Sequence, residues 1–473
     1  MWHRFHIVDL PFPLDDAEEI RMSRRYSRSH VGATVLAVAA LVLSGCGGVG
    51  GDDEPAEGEA VTLTTMGFGL GDEIASTRVD LANEAIAPAK VKIGGNAFDP
   101  QQFLSAVASD SPPDLVAMDR QLMGTYAARG TLEPLENCVE SEQIDLDQYR
   151  DPALAEITLD GKLYGLPEFY NNRVLMINDA SLKSAGLTPE AIDTSDRAAL
   201  SATAVKLTKK NGKDLARIGF DPKIPEFLPM WARANGVDMI SDDGLTAKLD
   251  DPKLIAGLEY AYSLIQAQGG WGSIKAFRDS FDFFGEKNPF STDQLAAFPM
   301  EDWYLNVLAD VSSDTAITVA PFTDEQGEPI DWATGNAWAI PSASKNKDQA
   351  CKWIKTMTQS DSWIAAAEAR AEKRKSENKP FTGVYTGNEV ADEEIFGEIV
   401  DLSATPAFDA AVKGVLEAQD DAFSMPASPA GSEFRTAWQD AVNRVLSGQQ
   451  APAEAMQQAQ KEAQAALDNA AGS

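Results

Sequence analysis

The chain has 473 residues, of which 44% are hydrophobic, and it carries 40 basic against 73 acidic residues for a net charge of −33. Such an acidic surface repels nucleic acid and disfavours strongly anionic ligands, so a small neutral molecule is the easier partner. A chain of this length exceeds one ordinary core and predicts two lobes of similar size.

The N-terminal segment is typical of a bacterial lipoprotein signal peptide. An apolar run at residues 31–43 follows a cationic flank at residues 24–28 and is too short to span a bilayer. The run ends in Leu-Ser-Gly-Cys, whose last residue, Cys46, is the predicted site of lipidation. Because residues 1–21 carry acidic groups where such peptides are basic, we expect translation to start at Met22. Residues 1–45 are thus the predicted signal peptide, and the protein is expected outside the cell, anchored by lipid to the cell membrane.

The distribution of histidine and cysteine limits the chemistry of the exported protein. All three histidines, His3, His6 and His30, lie in the predicted signal segment. Their loss excludes serine–histidine triads, histidine acid–base catalysis and histidine-ligated metal sites, so we expect no metal and no cofactor. Cys138 and Cys351 remain, and in an oxidising exterior we expect them to pair rather than react. The sequence alone leaves this pairing open.

The predicted fold starts after a short tether. Residues 46–60 are rich in glycine and acid, which predicts a flexible segment between the lipid and the first strand. Beyond it, helices are expected to begin at Asp72 and Asp99. The strands are predicted at residues 61–66, 91–93 and 114–118. This alternation predicts an α/β fold with a parallel sheet, in which ligands lie at the carboxyl ends of the strands.

One of these carboxyl ends is a glycine-rich loop at residues 67–71. It lacks the Gly-Lys-Ser/Thr of a phosphate-binding loop, and its third glycine comes one place too early for a dinucleotide fingerprint. We therefore interpret the glycines as a plain turn and Phe68 as a candidate ligand contact. The second such end is the dipeptide Asp119-Arg120.

Residues 160–179 carry a family resemblance. The run Gly-Lys-Leu-Tyr-Gly-Leu-Pro at residues 161–167, followed by an apolar strand that ends at Asn178, resembles the extracellular solute-binding proteins of sugar importers of the ATP-binding-cassette (ABC) class, the maltose-binding-protein-like family. Three further stretches resemble the same family in the same order, at residues 113–120, 336–350 and 447–455. The resemblance runs from about residue 61 to residue 467.

The resemblance implies a two-lobed periplasmic-binding-protein-like fold, with a mostly parallel sheet flanked by helices in each lobe and a multi-strand hinge between them. Hinge crossings are expected near Tyr170, at residues 336–339 and at residues 382–401. The first lobe then holds residues 61–170 and 338–390, including both cysteines. The second lobe holds residues 171–337 and 391–473.

The implied function is capture of a small neutral carbohydrate between the lobes and delivery to an ABC permease, by a monomer that breaks no bonds. A sugar offers hydroxyls to polar side chains and an apolar face to aromatic rings. The resemblance places a stacking tryptophan at Trp303 and a hydroxyl-binding pair at Asp119 and Arg120, although an Asp-Arg step is equally an N-cap with a solvated charge. Asn171 falls where the maltose binder has a carboxylate. Further candidates are Phe68, Tyr170, Trp338 and Arg435.

Two other interpretations stay open at this stage. A secreted glycoside hydrolase or lyase would use two carboxylates, with Glu168 and Glu301 as the candidates, but no catalytic signature accompanies them. A scaffold lipoprotein would leave the hinge-like order of segments unexplained.

The helical pattern around Trp353 and Trp363 indicates core packing rather than ligand contact.

Overall fold

The computed structural model describes residues 61–95 and 97–472; the predicted signal segment, Cys46 and the tether lie outside the described residues. In chain order the strands are β1 Thr62–Met66, β2 Lys90–Lys92, β3 Leu115–Asp119, β4 Thr158–Leu159, β5 Lys162–Leu163, β6 Leu166–Pro167, β7 Arg173–Asn178, β8 Lys209–Asn211, β9 Asp214–Arg217, β10 Ala297–Glu301, β11 Ile317–Ala320, β12 Phe322–Thr323, β13 Pro329–Trp332, β14 Asn336–Ala339 and β15 Ala422–Phe423.

The α-helices are α1 Glu73–Ala85, α2 Pro100–Ala108, α3 Arg120–Ala128, α4 Glu136–Glu142, α5 Asp151–Ala155, α6 Asp179–Ser184, α7 Arg197–Leu207, α8 Leu228–Arg233, α9 Pro252–Ala267, α10 Trp271–Arg278, α11 Tyr304–Val311, α12 Lys347–Thr358, α13 Ser360–Ser376, α14 Glu389–Glu394, α15 Pro406–Gln419, α16 Gly431–Leu446 and α17 Pro452–Ala471. Within the described chain none of them has the length and apolar character that a membrane span requires.

The first sheet has the strand order β2-β1-β3-β14-β6. Strands β1, β2 and β3 pair in parallel, as the alternation of strands and helices predicts. Alternate residues of β3 enter different apolar clusters, with Leu115 and Ala117 on one face and Val116 and Met118 on the other. Burial on both faces explains why this strand is an unbroken apolar run in the sequence.

Two local signals set the start of α1 and α2. The Asp72 carboxylate accepts the backbone N–H of Ala75 at 3.0 Å, and the Asp99 carboxylate accepts that of Gln102 at 2.8 Å. Each aspartate satisfies a donor that the first turn of a helix leaves unpaired. The predicted starts of both helices are therefore confirmed.

The second sheet differs from the mostly parallel one that was expected. Strand β7 lies between β10 and β11 and runs antiparallel to both. All six residues of β7 are buried, so its sequence pattern indicates a central strand without encoding the direction of its neighbours. In a third sheet, also of three strands, β13 pairs antiparallel with β12 and parallel with β15.

The first sheet and the β10-β7-β11 sheet are the centres of two lobes, and three chain segments run side by side between them. The backbone N–H of Asn171, between β6 and β7, donates to the carbonyl of Thr334, between β13 and β14, at 2.8 Å. The N–H of Tyr170 donates to the carbonyl of Tyr385, in the third segment between α13 and α14, at 3.1 Å. The lobes are thus joined by a multi-strand hinge.

Cys138 in α4 and Cys351 in α12 form a disulfide, as expected, with their Cα atoms 5.6 Å apart. Both residues belong to the apolar cluster on one face of the first sheet. The crosslink therefore joins two helices that cover the same sheet.

Candidate functional site

Asp119 is the last residue of β3 and lies at the start of α3. One of its carboxylate oxygens accepts the N–H of Gln121 at 3.0 Å, so it is an N-cap. The other accepts Nη1 of Arg435, in α16, at 2.6 Å. Both side chains of this ion pair are 31% exposed. The pair brings together two sequence-predicted site residues at the surface where α3 meets α16.

The contact between α3 and α16 is close enough to require a glycine. A Cβ atom on Gly124 would lie 2.3 Å from the backbone oxygen of Ser428, just before α16. The next residue, Thr125, accepts the backbone N–H of Ser432 through its hydroxyl oxygen at 3.0 Å. These contacts fix Arg435 opposite Asp119.

Arg120 and Tyr170 lie in the interior of this structure. The Arg120 side chain is fully buried, with Nε donating to Glu156 at 2.6 Å and Nη1 donating to the carbonyl of Phe169. Burial raises the pKa of Glu156, and this effect outweighs the Arg120 guanidinium, which by itself would lower that pKa. Tyr170 is 1% exposed, and its ring centroid lies 5.6 Å from the Arg120 guanidinium. Both residues therefore support the hinge segments in this structure.

Trp338 is also buried. It lies on β14, in the middle of the first sheet, and its ring packs against Trp353 and Phe68, each at 4.9 Å between centroids. Phe68 covers this tryptophan and retains only 9% exposure. Trp353 and Trp363 are both completely buried, which confirms their predicted place in the core.

Trp303 lies immediately before α11, at its N-cap position, and packs at the edge of the second lobe's core. Its ring is parallel to that of Phe284 within 4°, with centroids 6.0 Å apart, and meets Tyr304 edge-on at the same distance. Phe284 is 41% exposed. Together Trp303 and Phe284 form a partly open aromatic pair, the kind of surface on which the apolar face of a sugar stacks. Sequence reasoning missed Phe284, although the phenylalanine-rich run at residues 281–284 was a signal.

A carboxylate holds the Trp303 indole in place. The indole N–H donates to one oxygen of Glu301 at 3.0 Å, and the other oxygen accepts Nη2 of Arg173 at 2.9 Å. Arg173 also donates to Thr334 at 2.9 Å. Trp303 is therefore linked through two side chains to the second hinge segment.

Asn171 is half-buried and lies in the first hinge segment. In the first sheet, Asn336 pairs directly opposite Asp119, and its side chain is also partly exposed. Two amides and a carboxylate thus lie on neighbouring segments near the hinge, where they offer both donors and acceptors.

The two glutamates nominated for hydrolysis do not form a catalytic pair. Glu168 is buried in an ion pair with Arg78 at 2.9 Å, and burial raises its pKa. Both carboxylate oxygens of Glu301 accept hydrogen bonds, one from Arg173 and one from Trp303. Across the described residues, no group of three or more His, Cys, Asp or Glu side chains is arranged to hold a metal ion.

Two further carboxyl groups are buried at the hinge. One oxygen of Asp331 accepts the backbone N–H of Arg173 at 2.6 Å, and burial raises the pKa of Asp331 to about 8. Asp302 accepts the backbone and side-chain N–H groups of Asn172 at 2.7 and 2.9 Å. Burial raises its pKa well above the usual range. The hinge therefore contains two acids that favour the neutral form.

The family of the chain follows from residues 85–372, which match the family model for bacterial extracellular solute-binding proteins. Because the match spans more than half of the chain, the protein belongs to this family. Its members bind solutes and are not enzymes. The chain is 22% identical over 329 residues to the arabinooligosaccharide-binding protein of Bacillus subtilis, covering 68% of this chain and 73% of that one. It is 22% identical to a maltooligosaccharide ABC transporter solute-binding lipoprotein of Streptococcus pneumoniae, covering 70% and 77%.

Solved structures agree with the fold. CpMnBP1 with mannotriose bound is similar with a TM-score of 0.70 and 24% identity, over 85% of this chain and 100% of that one. An ABC substrate-binding protein from Listeria monocytogenes in complex with cycloalternan has a TM-score of 0.69 and 18% identity, over 88% and 100%. These likenesses establish the two-lobed architecture.

Proposed function

We propose that this protein captures a sugar or oligosaccharide between its two lobes outside the cell and delivers it to an ABC import permease. The observation that carries the proposal is the partly open aromatic pair of Trp303 and Phe284 in a member of a solute-binding family. The names of similar proteins, which refer to arabinooligosaccharide, maltooligosaccharide and mannotriose, support the same ligand class.

The lobes in this proposal are residues 61–170 with 338–390, and residues 171–337 with 391–473. Under this division Asp119 belongs to the first lobe, while Trp303 and Arg435 belong to the second. The ion pair between Asp119 and Arg435 would then join the lobes directly. Neither lobe alone would offer both a stacking face and the full set of hydroxyl partners.

Each side chain has a distinct proposed role. Trp303 and Phe284 supply the stacking surface, and Asp119 and Arg435 exchange their mutual ion pair for sugar hydroxyls. Asn171 offers a further amide at the hinge. Phe68, Arg120, Tyr170 and Trp338 are assigned to support because of their burial.

Anchoring is part of the proposal. A diacylglycerol on Cys46 and the tether of residues 46–60 would keep a monomer at the outer face of the cell membrane, within reach of the permease. The lipoprotein name of the Streptococcus pneumoniae relative supports this arrangement.

A thermal-shift panel tests the function. A ligand that binds only the folded state raises its stability in proportion to ln(1 + [L]/Kd). We expect mannotriose, maltotriose or an arabino-oligosaccharide to raise the unfolding temperature, with no product released from the sugar on long incubation. Glucose 6-phosphate is the control, and the acidic surface predicts no shift for it. No shift with any neutral sugar, or turnover of one, would contradict the proposal.

A further inference from the structure

We propose that Glu301 is a positioning residue that sets the orientation of the Trp303 indole for ligand stacking and couples it, through Arg173, to the hinge. This inference rests on the proposed function, in which Trp303 stacks on the sugar. It goes further by assigning a role to two charged residues, Glu301 and Arg173, that act through Trp303.

The geometry at Glu301 restricts both of its neighbours. Glu301 ends β10, and Trp303 follows two residues later in the turn that precedes α11, so backbone structure limits the distance between them. The carboxylate uses one oxygen for the indole N–H at 3.0 Å and the other for Arg173 at 2.9 Å. An indole held by its N–H has its ring plane set as well, because that bond is directional.

Arg173 is in turn held by the hinge. It is the first residue of β7, directly after the first hinge segment, and its side chain is 6% exposed. Its guanidinium donates to the carbonyl of Trp332 and to Thr334, and it lies 4.1 Å from the centroid of the Trp332 ring. A change in the angle between these segments therefore moves the guanidinium that anchors Glu301.

A simpler explanation is that Glu301 only neutralises the buried Arg173 guanidinium. The other charged groups around Arg173 test this explanation. Asp331 lies against the Arg173 backbone, and Asp302 is nearby, but both acids favour the neutral form. Glu301 therefore supplies counter-charge as well as orientation. The experiment must separate the two roles.

Glu301→Gln removes the counter-charge and one acceptor oxygen together, so the two roles are separated by combining it with Trp303→Phe, in which the orienting bond is already absent. Both partners of Glu301 are donors, and glutamine has one acceptor oxygen where glutamate has two. The variant keeps the side-chain volume, and its single oxygen goes to the charged Arg173, which is the stronger donor, so the Trp303 N–H loses its acceptor. Trp303→Phe is the complementary change, since it keeps an aromatic ring and removes the N–H.

The test is a double-mutant cycle with Glu301→Gln and Trp303→Phe, in which affinity for mannotriose, maltotriose and an arabino-oligosaccharide is measured by calorimetry. In the parent, Glu301→Gln should weaken binding about tenfold, as expected for loss of a hydrogen bond to a charged group. In the Trp303→Phe background it should weaken binding less than about twofold, because the N–H is already absent. Glu462→Gln is the matched control and should change nothing, since Glu462 in α17 makes only a loose 3.9 Å ion pair with Arg444 in α16.

A ligand-free measurement decides the positioning claim independently of sugar binding. In protein labelled with 15N-tryptophan, the indole N–H signal that disappears in Trp303→Phe belongs to Trp303. Its exchange with solvent should be slow in the parent and at least about tenfold faster in Glu301→Gln, because the acceptor is lost. Unchanged exchange, or equal affinity losses in both backgrounds, would overturn the inference. If Trp303→Phe and Trp303→Ala both bind sugar like the parent, the proposed site fails instead.

Discussion

Asp119 and Arg435 lie 316 residues apart in the sequence, yet their side chains form an ion pair of 2.6 Å. The pair joins the carboxyl end of a strand in the first sheet to a helix near the C-terminus. Because both side chains are about one-third exposed, the pair contributes only about 0 to 1 kcal/mol to stability. A bond this weak can be exchanged for a ligand.

Asp119→Asn should therefore affect binding more than folding. Asparagine keeps the N-cap of α3 but loses the charge that attracts Arg435 and a strong acceptor for sugar hydroxyls. We expect sugar affinity to fall about tenfold by calorimetry, while the free energy of unfolding changes by less than about 1 kcal/mol. Arg129→Gln, which breaks a more exposed ion pair with Glu433, is the control and should bind like the parent. Equal losses in the two variants would contradict a specific role for Asp119.

The buried Asp331 predicts a pH dependence of stability. Its pKa is about 8 in the folded protein and near 3.8 when exposed, so the folded state binds the proton more tightly. Stability should then fall as pH rises from about 4 and level off above about 8. Asp331→Asn retains an acceptor for the Arg173 N–H and should remove this loss, making the variant more stable at pH 8 by at least about 1.4 kcal/mol. Urea unfolding of the parent and the variant between pH 5 and pH 9 measures the free energy of unfolding at each pH.

The control for that measurement is Asp409→Asn, which removes a carboxylate from an exposed ion pair with Lys413. It should leave the pH profile unchanged. If Asp331→Asn has the same pH profile as the parent, the raised pKa is wrong.

The disulfide predicts a loss of stability without a loss of binding. Cys138→Ala with Cys351→Ala removes a crosslink that closes a loop spanning 213 positions, which should lower the free energy of unfolding by about 2 to 4 kcal/mol. Sugar affinity should stay within about twofold, because the crosslink joins two helices on the same sheet. Thiol labelling of the denatured, unreduced parent should find neither cysteine free. Quantitative labelling of both would contradict the pairing.

The anchor is tested at Cys46. Cys46→Ser removes the thiol that receives the lipid, so the protein should move from the membrane fraction to the medium. Fractionation and immunoblotting measure the distribution. A variant that stays as firmly bound to the membrane as the parent would contradict the lipoprotein prediction.

The sequence predicted local features of the fold well. The caps at Asp72 and Asp99 depend on neighbours three residues away, and the apolar run of β3 depends only on burial, so both are visible in the chain itself. The antiparallel pairing of β7 is not visible in the chain itself, because a buried strand has the same apolar pattern whether its neighbours run parallel or antiparallel.

Site residues were harder to predict because their roles depend on distant partners. Arg120 is buried in an ion pair with Glu156, which lies 36 positions away in the sequence. No local pattern distinguishes such a buried pair from an exposed charge. Trp338 is covered by Phe68, which comes from the loop after β1 and is distant in the sequence. Phe284 becomes relevant only because the chain brings it onto Trp303.

The central claim is that a sugar is held between two lobes that close around it. Small-angle X-ray scattering measures this directly, using the neutral sugar that gives the largest thermal shift. The radius of gyration of the parent should fall when this sugar is added to saturation, because binding favours the closed form. Trp303→Ala should require about ten- to a hundredfold more sugar for the same change, since stacking contributes about 1 to 3 kcal/mol. A radius of gyration that stays constant at saturating sugar would contradict capture by closure.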